Sequence, residues 1–357
     1  MSVRLDDTSA SAVGTAIDRE RFRQGSSAVN RVLTLVIVAD EETQADALQA
    51  AAEAAREHPC RILTAIPRPG KGPARLDAII QVGGGDGLGE LVELRLRGPL
   101  AHHISSVVLP LLVPDSPVVV WWPGKAPAVP AEDPVGHLAQ RRITDSAAAA
   151  RPLQALEERR LGYRDGDTDL AWTRITPWRA LLAANLDQPH DPITGVTVSV
   201  QRGNPSGTLL AAWLHQRLGV PVELRTSKGP GITAVAVRTT HGDITISRPD
   251  GGVALLSRPG FPTREAALHR RTTEGLIAEE LRRLDPDEVY GETLAAVPDL
   301  DASPRAAAAP ARTTATTATT KVPATTAPGP RKAAAKKAPA KKASTSKAST
   351  SKGRGSR

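Results

Sequence analysis

Cysteine is nearly absent from this 357-residue chain: Cys60 stands alone. That excludes an intramolecular disulfide and any metal site built on several thiolates. Cys60 lies in the apolar run CRILTAI, where a free thiol behaves as a small buried hydrophobe. No stretch of 18 or more residues is apolar enough to cross a bilayer. The longest such stretch, 104–122, is broken by Ser105, Ser106, Pro110, Pro114, Asp115 and Pro117. The opening MSVRLDDTSASAVGT lacks the apolar core of a signal peptide. These absences lead to the expectation of a cytoplasmic protein with no membrane contact.

Acidic residues are missing from the last part of the chain. Residues 302–357 hold 13 Lys+Arg and no Asp or Glu, so the formal net charge of +8, less 13, leaves −5 for residues 1–301. Lysine is scarce before that point, with Lys71, Lys125 and Lys228 alone, and dominant after it. The mildly acidic body and the basic tail are therefore separate compositional units. From about 298 the Ala/Thr/Pro/Lys repeats contain nothing that builds a core, and disorder is expected there. Such a tail suits weak, sequence-independent contact with nucleic acid through counterion release. The body offers no recognition-helix motif to go with it.

What is present reads as α/β. Residues 1–28 are polar and without period, and are expected to be disordered. RVLTLVIVA (31–39) is a near-continuous β-branched run, as in a strand buried on both faces. Asp40 follows as a helix cap, and Ala45, Leu48, Ala52 and Ala55 form a helical stripe. Pro59 ends it, and CRILTAI (60–66) is a second strand. Strand, helix and strand in this order predict a parallel pair with a right-handed crossover. LDAIIQV (76–82) and the alternating LVELRLRG (91–98) are further strands, the second antiparallel or at an edge. A helix at 102–112, a strand PVVVWWPG (117–124) and a short strand or helix entry at 140–147 complete a Rossmann-like N-terminal domain over 29–150.

A second, α+β domain is expected over 151–297. RPLQALEERR is helical, and GYRDGDTDLAW (162–172) reads as a loop. Thr176-Pro177 and Asn204-Pro205 each open a helix with a cap and a proline at the first helical position, and Gly219 closes the second. Short strands at VPVELR, ITAVAVRT, DITISRP and VALLSRP precede a last helix, 273–284. The whole is two mixed α/β domains with disordered termini.

Chemistry-bearing motifs are sparse. The glycine-rich 83–89 is followed by a strand where a dinucleotide fingerprint requires a helix, so it reads as a hairpin turn. His102 and His103, as neighbours, point about 100° apart on a helix and make a poor metal pair, which leaves one of them as a cap or a buried hydrogen-bonding group. Asp165, Asp167 and Asp169 have the spacing of a calcium loop without its glycine or distal glutamate. They read as an Asp/Gly turn or an acidic recognition loop, with paired-carboxylate catalysis on a sugar phosphate as the enzymatic alternative. No cofactor is expected. Four of the five Trp fall in two motifs: Trp121-Trp122-Pro123-Gly124, where successive strand residues send one indole inward and one outward, and a cluster of Trp172, Arg174, Trp178 and Arg179. Trp and Arg are enriched at interaction hot spots.

Across these same segments the chain resembles the OpcA family, glucose-6-phosphate dehydrogenase assembly proteins. The stretches that carry the resemblance are RVLTLVIV, HPCRI, RLRGPLAHHISSVVLPLLVPDSPVVVWWPG, DPVGHLAQRRITDS, DTDLAWTRITPWRALLAANLDQP, NPSGTLLAAWLHQRLGVPV and ELRRLDPDEVYGETL, within 30–294. The arginine-rich, lysine-poor body is similar to actinobacterial members. The resemblance implies a non-enzymatic partner of glucose-6-phosphate dehydrogenase that promotes its assembly or activates it allosterically, supporting the oxidative pentose phosphate pathway and NADPH supply. The residues expected to meet the dehydrogenase are Trp122, Arg141, Arg142, Asp167, Asp169, Trp172, Arg174, Trp178 and Arg179.

Overall fold

The computed structural model describes residues 2–23, 32–83, 89–248, 250–298 and 300. The basic tail and most of the glycine-rich turn lie outside the described residues, so the expectations of a disordered tail and a flexible turn fall there too.

The near-continuous apolar run after Val32 becomes β2 (Leu33–Val38). The alanine stripe becomes α2 (Gln44–Ala54) and the next apolar run β3 (Cys60–Arg68). β2 and β3 pair in parallel, Leu33 opposite Cys60, as the sequence predicts for a crossover unit. Asp40 caps the turn ahead of α2, its Oδ1 accepting from the N–H groups of Glu42 and Thr43. β4 (Arg75–Val82) and β5 (Glu90–Arg97) are antiparallel neighbours. β5 is not an edge strand, however, because it also pairs in parallel with β3.

The edge beyond β4 is closed by the extreme N-terminus, where disorder was expected. β1 (Ser2–Leu5) pairs antiparallel with β4, and α1 (Ala10–Arg23) follows it. The reason is packing: Val13 and Ile17 of α1 are buried against Leu76, Ile80 and Val92. The expected helix at 102–112 is broken up. α3 spans only Ile104–Val108, with 3-10 turns before and after it and Pro110 inside the second. His102 and His103 are both exposed, and His103 makes no side-chain bond at its cap position, so neither takes the cap or buried role foreseen.

β6 (Val118–Trp121), β7 (Arg141–Thr144) and β8 (Asp167–Asp169) extend the sheet in parallel. The eight-stranded order is β1-β4-β5-β3-β2-β6-β7-β8. β8 is where a loop was expected, and it belongs to this first sheet although it lies past residue 150. α4 (Pro152–Gly162) supplies the crossover from β7 to β8.

The rest builds a second sheet, with order β10-β9-β11-β12-β13-β14. Its strands are β9 (Ile193–Val200), β10 (Val222–Thr226), β11 (Ile232–Thr239), β12 (Gly242–Ser247), β13 (Val253–Arg258) and β14 (Phe261–Ala267). β9 and β10 run parallel, joined by α7 (Pro205–Leu218); the other pairings are antiparallel. α5 (Leu170–Thr173), α6 (Thr176–Leu186) and α9 (Glu288–Ala295) pack with α7 on this sheet's core. α8 (Thr273–Arg282) instead returns to the first sheet and buries Leu276, Ile277 and Leu281 beside the alanines of α2.

That return explains the two indoles at the end of β6. Trp121 faces the layer of α2 and α8, and Trp122 faces the layer of α1 and α3. Both are buried, at 1% and 2% exposure, so the expectation that one indole leaves the core is corrected: both faces of the sheet are covered. Burying roughly 150–250 Å² per aromatic side chain, at about 25 cal/mol per Å², removes any incentive to leave an indole in water.

Candidate functional site

The seam between the two sheets is built by β7, β8, α5 and α6. Alternation along β7 sends its two arginines to opposite faces. Arg141 turns toward α8, where Nε and Nη2 donate to Glu280 Oε2 at 2.8 and 2.5 Å and Nη1 donates to the Asp285 carbonyl at 2.8 Å. Arg142 turns the other way: Nε donates to Asp167 Oδ1 at 2.5 Å, Nη1 to the Ala139 carbonyl at 2.9 Å, and Nη2 to the Asp165 carbonyl.

Asp169 is fully buried at the cap of α5. It accepts from Ala171 N–H at 2.8 Å, Ser146 N–H at 2.9 Å, Ser146 Oγ at 2.9 Å and Thr144 Oγ1 at 2.7 Å. Burial, and then the nearby Asp145 charge, push its carboxyl above the ordinary value, while these donors pull the other way. Burial likewise raises Asp167, opposed by Arg142 and the Arg164 N–H. Asp145 binds Arg174 through two oxygens at 2.7 and 2.6 Å. Burial alone would lower the Arg174 guanidinium, but this pairing holds it above its usual value.

The aromatic part of the seam centres on Trp172. Its Nε1 donates to Asp287 Oδ2 at 2.7 Å, and its ring lies 5.7 Å from that of Tyr290. The Arg179 guanidinium stacks 3.7 Å above the indole. Burial pushes Arg179 down to about 10, which leaves it charged at neutral pH. Trp178 turns to the second sheet, with Arg248 5.1 Å over its ring.

Of the nine residues singled out from the sequence, eight are brought together here. Trp122 is not, for its indole lies in the α1/α3 layer. Trp122, Arg141, Arg142, Asp167, Asp169, Trp172 and Trp178 are buried, and Arg174 and Arg179 are half-buried. They are therefore not free surface anchors, and the acidic-loop reading of Asp167 and Asp169 is corrected. These carboxylates are consumed in holding β7, β8 and α5 in register. They do not converge on a metal, and among the described residues no cluster of His, Cys, Asp or Glu fits one. Cys60 is fully buried, and burial pushes its thiol up to about 12, which removes its reactivity at neutral pH.

Two recesses flank the seam. The wider, about 920 Å³, is walled by Arg141, Tyr163, Trp172, Arg179, Glu280 and Asp287. The narrower, about 330 Å³, lies on the other side, beside Trp178, Arg174 and the start of α7. Sequence reading missed the polar groups of the second recess, Ser206, Arg248 and Arg270. The signal was there: the strand TGVTVSV runs through a glycine-containing turn into the helix PSGTLL, the local order of an anion-binding crossover.

Residues 51–161 match the family described as the glucose-6-phosphate dehydrogenase subunit N-terminal domain, and residues 165–294 the subunit's C-terminal domain. Two curated relatives are both called putative OxPP cycle protein OpcA. The one from Synechococcus elongatus is 26% identical over 263 residues, 58% of this chain and 58% of the relative. The one from Synechocystis is 28% identical over 139 residues, 36% of this chain and 29% of the relative. The chain thus spans well under two thirds of either relative. Among solved structures, the 3-ketoreductase KijD10 from Actinomadura kijaniata is 13% identical, with a TM-score of 0.43 over 76% of this chain and 97% of that one. An oxidoreductase from Sinorhizobium meliloti is 11% identical, with a TM-score of 0.41 over 76% and 89%. Likenesses at this level assign no activity. Matched over both halves of its folded body, the chain belongs to the OpcA family of glucose-6-phosphate dehydrogenase assembly proteins.

Proposed function

We propose that this chain is a non-catalytic cytoplasmic partner of glucose-6-phosphate dehydrogenase, which it assembles or activates in support of the oxidative pentose phosphate pathway. The observation that carries the reading is the pair of family matches, 51–161 and 165–294, which abut at the seam. The chemistry of the seam agrees with it. Asp167 and Asp169 are saturated by structural donors, so neither is poised to move a proton in a substrate.

An activator works by binding the competent conformation or oligomer of its target more tightly than the incompetent one; equal affinity shifts nothing. A tenfold shift requires about 1.4 kcal/mol of difference. We assign the 920 Å³ recess as the place where the dehydrogenase is held. The Trp172–Arg179 stack and the Arg141–Glu280 pair then act as its rigid walls, with Arg142, Asp167, Asp169, Arg174 and Trp178 holding the framework behind them, while Trp122 takes no part. The decisive measurement is the dehydrogenase's KM and kcat with and without the purified chain, together with co-sedimentation. A lower KM or higher kcat with co-migration is expected; unchanged constants and separate migration overturn the proposal.

A further inference from the structure

The 330 Å³ recess has the chemistry of an anion site. It opens where β9 ends and α7 begins, inside the β9–α7–β10 parallel crossover. A helix N-terminus there presents backbone donors and the positive end of its dipole. In the first turn, Pro205 has no N–H, and the Gly207 N–H is taken by Asn204 Oδ1 at 3.2 Å, which leaves Ser206 as the donor. Gly207 lets the helix sit tight on the strand, since a Cβ there would come within 2.5 Å of Val200 Cγ2.

Two further observations point to a ligand. Ser206 is only 5% exposed, lines the recess, and its Oγ has no hydrogen-bond partner. A buried hydroxyl left without a partner is destabilising unless something fills the bond. Second, Arg248 and Arg270 share the recess, and among the described residues neither makes an ion pair with a carboxylate. Arg248 is 7% exposed, held by the Ile232 and Leu268 carbonyls at 3.0 Å, and its Nε is unpartnered. Among the described residues, Arg270 donates to the Pro230 carbonyl alone. Burial, and then the Arg270 charge, depress the Arg248 guanidinium. Arg174 and Arg271, by contrast, are neutralised by Asp145 and Glu279.

We propose that this recess binds a small phosphorylated metabolite, its phosphate held by Ser206, Arg248 and Arg270 and its body resting on Pro177 and Trp178. Small-molecule sites run from roughly 300 to 1,000 Å³. At 330 Å³ this one has room for a single phosphorylated sugar. The Asp145–Arg174 pair also lines the recess and would supply groups for hydroxyls. This goes beyond the partner reading, and its test uses the chain alone, so the two stand or fall separately.

The test is calorimetric titration of the full chain with glucose 6-phosphate, glucose, inorganic phosphate and ATP, at two salt concentrations. Glucose 6-phosphate is expected to bind best, more weakly at high salt. Arg270→Ala, at an exposed position, is expected to lower that affinity about tenfold. Ser206→Ala is expected to lower it several-fold while leaving the melting temperature of the unliganded chain unchanged or higher, because the hydroxyl it removes bonds nothing. No heat with glucose 6-phosphate, or an affinity in both variants unchanged from that of the unsubstituted chain, overturns the proposal. So does equal affinity for inorganic phosphate, which marks an adventitious ion only, or preference for ATP, which makes the ligand a nucleotide and not a sugar phosphate.

Discussion

Glu280 is the residue on which the seam turns. It is 4% exposed, and its two oxygens serve different halves of the fold: Oε2 accepts from Arg141 of β7, and Oε1 accepts from Thr173 Oγ1 of α5 at 2.5 Å. Removing one partner of a buried ion pair leaves an uncompensated charge, at a cost of about 3–5 kcal/mol, whereas replacing both with apolar groups of similar volume is often close to neutral. Glu280→Ala should therefore lower the unfolding free energy in urea by about that amount. Arg141→Met with Glu280→Leu should lower it by clearly less. A double variant as unstable as the sum of its parts would show that Arg141 and Glu280 act independently.

At the scale of elements, one carboxylate ties the turn between the N-terminal strand and helix to β4, beside their strand pairing and apolar packing. Asp77 of β4 accepts from Asp7 N–H at 3.0 Å, from Arg75 Nε at 2.7 Å and from Arg97 Nε at 3.1 Å. Burial acts to raise its pKa, but the Asp7 N–H and the two arginines prevail and hold it below the ordinary 3.8. A carboxylate lowered by folding contributes stability above its unfolded value and loses it as pH falls through the folded one. Hydrogen exchange, corrected for intrinsic rates, should show protection in β1 and α1 that is level from pH 7 to 5 and falls below pH 3.8. In Asp77→Asn that acid step should disappear; its persistence would place the acid sensitivity elsewhere.

The same element shows why parts of the fold were not legible in the sequence. β2, α2 and β3 were readable because burial on both faces forces an unbroken apolar run and a regular alanine stripe. α7 was readable because Asn204, Pro205 and Gly219 punctuate both its ends. β1 and α1 carry just Val13 and Ile17 as buried apolar side chains on α1, too thin a stripe to stand out among polar neighbours. β8 is spelled Asp-Thr-Asp. What makes it a strand is Arg142 on β7 and Ser146 just after it, contacts that exist only once the sheet has formed. The site residues were recognised as a group, but hot-spot composition does not report burial, and the arginines that look like exposed anchors are held inside by Glu280, Asp167 and Asp145.

At the scale of the whole molecule, the charge is divided so that the proposed partner docking and a tail contact with nucleic acid can be tested apart by one cut. Residues 1–301 carry −5, and residues 302–357 carry all of the offsetting +13. If a polyanion binds the second set, it does so through counterion release, and the logarithm of its affinity falls with slope of about −0.9 per phosphate neutralised on duplex DNA. The docking proposed for the seam would depend instead on the shape and pairing of the folded body. Deleting 302–357 should therefore abolish salt-sensitive retention on immobilised DNA while leaving the effect on dehydrogenase KM and kcat intact. If the truncated chain loses its effect on the dehydrogenase as well, the tail takes part in that interaction and the seam alone is insufficient. If it keeps its DNA retention, the cations responsible lie on the arginine-rich body, where most are already paired with carboxylates.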